Sequence, residues 1–153
     1  MITTAVESFE EGLEELKVLL PVYYKELALN QDKVPLRPQF DQYIHLENSG
    51  ALLYVTLRQE GKLIGYFIGF IRNHMHYDTM KVCMMDIFYV DPEKREKNPR
   101  AGVKLFRAVE VEAKRRGVHN IVVGSKVHKD ASALFKYLGY SPIETFHSKW
   151  IGD

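Results

Sequence analysis

The residues best suited to chemistry lie in the span 86–117, where an apolar stretch ending at Val90 leads through a proline turn and a basic loop into an amphipathic pattern. Free backbone N–H groups at the start of a helix, together with the positive end of its dipole, bind phosphate groups. Arg95, Lys97 and Arg100 add positive charge at this point. The span is typical of a pyrophosphate-binding loop. An ordinary strand-to-helix connection with exposed basic residues is the alternative at this stage.

Asp86 lies within an otherwise apolar stretch, where a buried carboxylate is costly unless it has a partner. It therefore either takes part in acid–base chemistry or pairs with a neighbouring polar group. Because side chains alternate along a strand, we expect Asp86 to share a face with Phe88 and Val90. His74 and His76 lie where the preceding strand ends, so both imidazoles can point to one side. Hydrogen-bonded structural histidines are the alternative, and too few further ligands lie nearby to predict a metal site.

Charge is unevenly distributed along the 153 residues, although the net charge is only +1. Residues 92–137 contain twelve Lys and Arg against five Asp and Glu. A localised basic segment in a near-neutral protein indicates a localised anionic ligand rather than nucleic acid or a membrane surface. A solvated helix face with surplus lysines is the alternative.

Composition excludes several classes of protein. The single cysteine, Cys83, excludes an intramolecular disulfide and a Cys-based zinc site. No apolar run approaches the roughly 20 residues that span a bilayer, and the N-terminus is acidic, unlike a secretory signal. We therefore expect a cytoplasmic protein without a membrane partner.

The elements that must position these residues follow from hydrophobic periodicity and fit one domain over residues 1–153. An N-terminal helical region should be kinked or split at Pro21, because proline removes a backbone donor. The other expected elements, in chain order, are a loop at 30–38, a helix at 39–48, strands at 51–57, 63–71 and 81–90, a loop at 93–100, a helix at 101–116, a strand at 120–127, a helix at 129–138 and a strand at 143–151. This order predicts an α/β (α+β) fold with a mixed, mostly antiparallel sheet flanked by helices.

Two segments resemble the GCN5-related N-acetyltransferase family, which uses acetyl-CoA. Val90, Pro92 and Arg95, followed by the loop to Gly102, are similar to the family's V-x-P-x-x-R strand and glycine-rich pyrophosphate loop. Residues 131–140, AlaSerAlaLeuPheLysTyrLeuGlyTyr, are similar to its A-x-x-L-Y-x-x-L-G-F segment. The resemblance covers nearly the whole chain and implies the acyl-CoA N-acyltransferase-like fold. The overall pattern also looks like phage-encoded members.

The resemblance implies a binding site for acetyl-CoA. The strand at 87–90 should part from the strand at 121–125, so that the pantetheine arm occupies unpaired backbone groups. In the alignment that keeps Pro92 and Arg95, the loop is about two residues longer than in the family, with the insertion at Asn98 and Pro99. The alternative alignment, counted back from Gly102, places the family's leading basic residue at Lys97 and its first glycine at Arg100. Phe135 replaces a tyrosine that often acts as general acid. The implied cofactor-binding residues are Phe88, Tyr89, Val90, Arg95, Lys97, Asn98, Arg100, Ala101, Gly102, Val103, His128, Lys129 and Phe135.

The implied function is direct transfer of an acetyl group to a primary amine of a protein, a peptide or a small molecule. Asp86, His76 or His74 would be the general base, because an amine attacks only after losing a proton. The segment 30–43 lacks the dense acidic lining that a polycation needs, which slightly favours a peptide or protein amine. The alternative from another class is a binding or assembly protein that keeps the fold, and even CoA binding, without transfer. A homodimer is left open.

Overall fold

A five-stranded sheet forms the centre of the computed structural model, which describes all 153 residues. The strands lie side by side in chain order: β1 Ile2–Val6, β2 Leu52–Gln59, β3 Lys62–Asn73, β4 Lys81–Val90 and β5 Asn120–Val122. Neighbouring strands are antiparallel except β4 and β5, which are parallel. The predicted mixed, mostly antiparallel sheet is confirmed.

Helices cover both faces of this sheet. They are α1 Leu13–Leu27, α2 Phe40–Asn48, α3 Pro92–Lys97, α4 Ala101–Arg115 and α5 Ser132–Leu138. One apolar core lies between the sheet and α4 and α5, and the other between the sheet and α1 and α2. No helix has the length and apolarity needed to cross a membrane.

The pattern that predicted α4 also explains its packing. Leu105, Phe106, Val109 and Ala113 are buried, as expected for apolar residues spaced three or four apart on one helix face. Gly117 follows with a positive φ of 79°, a backbone conformation that glycine adopts without a steric penalty. The buried face thus packs α4 against the sheet, and Gly117 follows the end of the helix.

Some predicted elements were wrong. The split predicted as one outcome at Pro21 does not occur, because α1 is continuous through this residue. Pro21 is exposed, so water can donate to the carbonyl that lacks a backbone N–H partner. β1 was not predicted, because four of its five residues are exposed and show no apolar alternation. The loop predicted at 93–100 contains the short α3.

The strand expected at 120–127 is shorter than predicted, and the strand expected at 143–151 does not form. β5 pairs with β4 over only three residues, so it offers few backbone groups with which a further strand could pair. Residues 141–153 form neither helix nor strand, and Ile143, Phe146 and Ile151 are at least 75% exposed.

Candidate active site

A β-bulge at Asp86 shapes the middle of β4. The register pairs Ile68 with Ile87 but Gly69 with Met85, so that Asp86 has no partner on β3. An extra residue in one strand bends that strand and moves the following side chains to the opposite face. The bulge therefore decides which side of the sheet receives the carboxylate.

The carboxylate of Asp86 lies on the side of the sheet covered by α1 and α2. It faces the same side as Ile87, and Tyr89 belongs to the core on that side. Phe88 and Val90 belong to the opposite core, under α4. The expectation that Asp86 shares a face with Phe88 and Val90 is wrong, because simple alternation does not hold across a bulge.

Asp86 lies in a cavity of about 300 Å³, called here the Asp86 cavity. Its walls come from α1, from the segment 28–40 and from Tyr43 of α2, while β3 and β4 contribute the floor. Its lining residues are mostly apolar or aromatic: Phe9, Leu16, Leu20, Tyr23, Tyr24, Ala28, Leu29, Val34, Pro35, Leu36, Arg37, Pro38, Phe40, Tyr43, Ile68, Asp86 and Ile87. A concave apolar site with few polar groups is the usual form of a small-molecule site.

A tyrosine holds the Asp86 carboxylate. Tyr43 Oη donates a hydrogen bond to Asp86 Oδ2 over 2.5 Å. Burial raises the pKa of Asp86, and the Tyr43 hydrogen bond only partly opposes that effect. Burial and the charge of Asp86 also raise the pKa of Tyr23, so that Tyr23 and Tyr43 remain phenols. A positioned carboxylate with a raised pKa has the properties of a general base.

The two candidate histidines lie elsewhere. His74 pairs with Met80 at the far end of the β3–β4 hairpin, six strand residues from Asp86, which corresponds to roughly 20 Å. His74 Nδ1 accepts a hydrogen bond from the main-chain N–H of His76, and both imidazole rings lie beside the Tyr77 ring in tilted orientations. The structure thus brings neither His74 nor His76 to the Asp86 cavity.

The edge of β4 beside the Asp86 cavity is open toward β5. The parallel ladder joins Val82–Met84 to Asn120–Val122 and ends there. The predicted parting of the strand at 87–90 from the chain at 121–125 is therefore confirmed. Unpaired N–H and C=O groups on such an edge can bind an extended ligand in the manner of an added strand.

The N-terminus of α4 fits an anionic group. The main-chain N–H groups of Gly102 and Val103 have no acceptor in the chain, and no side chain caps the helix. Lys97 and Arg100 are exposed beside it. Unsatisfied donors and positive charge at the start of a 15-residue helix are the features that a pyrophosphate requires. The buried Ala101 lies at the same helix start.

Glu26 of α1 was not foreseen, and it connects several predicted cofactor residues. Arg95 Nη2 donates to Glu26 Oε1 over 2.8 Å, the Tyr89 hydroxyl donates to Glu26 Oε2, and Lys129 Nζ lies 3.7 Å from Oε1. Burial acts to raise the pKa of Glu26, but the hydrogen bonds from Tyr89 and Arg95 outweigh it, and the net pKa is lowered. Glu26 is 63 or more positions away from each of its partners in the sequence, so no local signal could have predicted this cluster.

The other predicted cofactor residues have different surroundings. Asn98 Nδ2 donates to the carbonyl of Lys94, which completes the end of α3. His128 is exposed in the loop before α5. A Cβ on Gly102 would lie 3.1 Å from the Leu134 side chain, so this glycine also permits close packing of α4 and α5.

Phe135 is buried in the core under α4 rather than exposed in a cleft. Its ring centroid lies 5.3 Å from that of Phe106, 5.7 Å from that of Tyr140 and 5.8 Å from that of Phe88. Phe135 thus packs against Phe88 of β4 in the core under α4. Its phenyl ring has no proton that it could donate as a general acid.

Comparison with known families agrees with this geometry. A sequence model described as the acetyltransferase (GNAT) family matches residues 14–140. The chain belongs to the GNAT family. It is therefore grouped with the N-acetyltransferases, enzymes that use acetyl-CoA and an acceptor substrate. A comparison with curated proteins finds no significant match.

Solved structures share the fold of this GNAT protein over nearly its full length. A ribosomal-protein-alanine N-acetyltransferase from Brucella melitensis biovar Abortus 2308 matches with a TM-score of 0.75 and 20% identity, covering 100% of this chain and 99% of the other. Glucosamine-6-phosphate N-acetyltransferase from Arabidopsis thaliana matches with a TM-score of 0.72 and 14% identity, covering 99% of both. An aminoglycoside acetyltransferase, HMB0005, from an uncultured soil metagenomic sample matches with a TM-score of 0.76, 14% identity and 99% coverage of both. Their names differ in substrate, so the fold alone does not identify the acceptor.

Proposed function

We propose that this GNAT protein transfers the acetyl group of acetyl-CoA directly to a primary amine, with Asp86 as the general base. One observation carries the proposal: the Asp86 carboxylate lies in a cavity whose floor includes β4 at Asp86 and Ile87, and the edge of β4 is unpaired with β5 beyond Met84. An amine in the Asp86 cavity and a thioester on that edge would be close enough to react. Acetyl-CoA, when bound, supplies the acetyl group in activated form as a thioester.

The chain's own residues would orient the acceptor and accept its proton. An ammonium ion entering the Asp86 cavity would pair with the carboxylate, whose position is fixed by the Tyr43 hydroxyl. Asp86 Oδ1 or Oδ2 would take up the proton, directly or through water, as the nitrogen becomes a nucleophile. A main-chain N–H near Phe88 to Val90 would stabilise negative charge on the carbonyl oxygen.

The proposed cofactor site extends from the open β4 edge to the start of α4. Gly102 and Val103 would donate main-chain hydrogen bonds to the pyrophosphate, with Lys97 and Arg100 adding charge. Arg95 and Lys129 both contact the Glu26 carboxylate. To bind a phosphate group, either side chain would have to weaken or break its contact with Glu26. We also propose that the protein acts in the cytoplasm and that it does not bind nucleic acid.

A second candidate function follows from Phe135, whose ring cannot donate a proton to a departing thiolate. In that case the protein would bind CoA and act as a binding or assembly protein without turnover. Because a thiolate is a good leaving group, the absence of a general acid should lower the rate by only about 10²-fold. We therefore favour the acetyltransferase over the protein without turnover.

Release of CoA thiol from acetyl-CoA, measured with a broad panel of primary amines and peptides, tests the proposal. Asp86→Asn should lower kcat/KM by about 10²–10⁴-fold while leaving CoA binding by calorimetry unchanged. Asp78→Asn, an exposed aspartate in the β3–β4 turn, is the matched control and should retain full activity. Binding of CoA without acetylation of any amine would favour the second candidate, and full activity of Asp86→Asn would remove Asp86 as the base.

A further inference from the structure

The Asp86 cavity has an unusual distribution of charge. Of the 17 residues that line it, only Asp86 is anionic and only Arg37 is cationic. Leu16 and Leu20 are almost fully buried in its wall, and Tyr23 lies beside them. The cavity therefore offers a single anionic partner for an ammonium group, and its other contacts are mostly apolar or aromatic.

We infer that the acceptor is a small monoamine with an apolar body, either alkyl or arylalkyl. This assignment rests on the proposed function and narrows its substrate class. The ammonium group pairs with Asp86, and the apolar body is buried against the walls from α1 and from the segment 28–40. A volume of about 300 Å³ lies at the small end of the range for ligand pockets and accommodates a small amine.

The same cavity selects against a polyamine or an aminoglycoside. A second ammonium group would meet either an apolar wall, where an unpaired charge is costly, or the guanidinium of Arg37, which repels it. Arg37 is exposed, so its charge acts on a ligand near the solvent side of the cavity.

A series of n-alkylamines measures the apolar contact, because these amines differ in length and hardly in basicity. From ethylamine to hexylamine, kcat/KM should rise roughly fourfold for each methylene group until the cavity is filled. The kcat/KM for hexylamine should exceed that for 1,6-diaminohexane, which has the same six-carbon chain and a second ammonium group, by at least about tenfold. A flat series, or a diamine as good as hexylamine, would overturn the inference.

A pair of charge reversals tests the role of Arg37. Arg37→Glu should raise the use of 1,6-diaminohexane relative to hexylamine by at least about tenfold, because the second ammonium gains an anionic partner. Lys33→Glu makes the same change of charge in the same segment at a residue outside the cavity lining, and should leave the ratio unchanged. Equal effects of the two variants would show that overall charge, and not the cavity, sets the preference.

Binding measurements separate this inference from the proposed function. If no amine is acetylated, the proposed function fails, and calorimetry with hexylamine and 1,6-diaminohexane still decides the inference. Tighter binding of hexylamine, lost in Asp86→Asn, supports it, and equal or weaker binding of hexylamine overturns it. A higher kcat/KM for a tripeptide with N-terminal phenylalanine than for 2-phenylethylamine would also overturn it, while leaving the proposed function intact.

Discussion

Replacing Tyr43 with phenylalanine should move the acid limb of the pH profile of kcat/KM to higher pH. The Tyr43 hydroxyl donates to Asp86 over 2.5 Å and so stabilises the ionised carboxylate. Burial raises the pKa of Asp86, and the Tyr43 hydrogen bond acts in the opposite direction. Without the hydroxyl only burial remains, so the pKa of Asp86 rises further and the base stays protonated over a wider acid range.

The size of the effect follows from the strength of the lost contact. A hydrogen bond to a charged group contributes about 1.5–3 kcal/mol. At about 1.4 kcal/mol for each factor of ten, the ionised fraction of Asp86 on the acid side should fall roughly 10- to 100-fold. The kcat/KM value should fall by the same factor there and should change little on the alkaline plateau, where Asp86 is ionised in both proteins.

Initial rates of thiol release, in buffers that cover both the acid limb and the plateau, measure this shift. Tyr24→Phe is the control, because Tyr24 lines the same cavity but its hydroxyl donates to the main-chain oxygen of Val34 over 2.5 Å. It should leave the limb in place. The reasoning is refuted if the Tyr43→Phe profile coincides with that of the wild type, or if Tyr24→Phe produces the same shift.

Three further predictions concern stability and cofactor binding. Glu112→Gln should lower the free energy of unfolding at neutral pH by about 1.5–3 kcal/mol, because hydrogen bonds from Arg115 and then Arg116 lower the pKa of this carboxyl to about 2. In urea titrations the difference from the wild type should shrink as pH falls from about 4.5 toward 2. Gly65→Ala should destabilise the fold by about 1–3 kcal/mol in thermal unfolding, since its Cβ would lie 2.8 Å from a main-chain oxygen of β4, whereas Gly124→Ala has room and should be near neutral. Glu26→Gln should tighten CoA binding severalfold in calorimetry at low salt, because Arg95 loses its anionic partner; weaker binding would contradict this role.

The elements around the site could be predicted where apolar periodicity is strong. The strand at 81–90 was predicted with its observed bounds, and the helix from Ala101 was one residue too long. Both elements are half-buried, so the apolar residues of each repeat with the period of a strand or of a helix. β1 and residues 141–153 failed for the opposite reason, because little of their apolar surface is buried.

The candidate site was predicted less completely than the fold. Asp86 was recognised because a carboxylate is unexpected in an apolar strand. Tyr43 was not, because it lies 43 positions away and resembles the other tyrosines in the sequence. The bulge depends on how β4 aligns with β3, which no local pattern reports.

The bulge also divides β4 into two halves of opposite parity. Before it, the odd-numbered Cys83 and Met85 belong to the core under α4, and after it the even-numbered Phe88 and Val90 do. A bulge-free strand laid over β4 would therefore match its two faces on only one side of the Asp86–Ile87 boundary. Aligned to the residues before Asp86, such a strand would place the apolar side chains after the boundary on the wrong side of the sheet, so an exchange that crosses the boundary must keep the extra residue for the carboxylate to stay in its cavity.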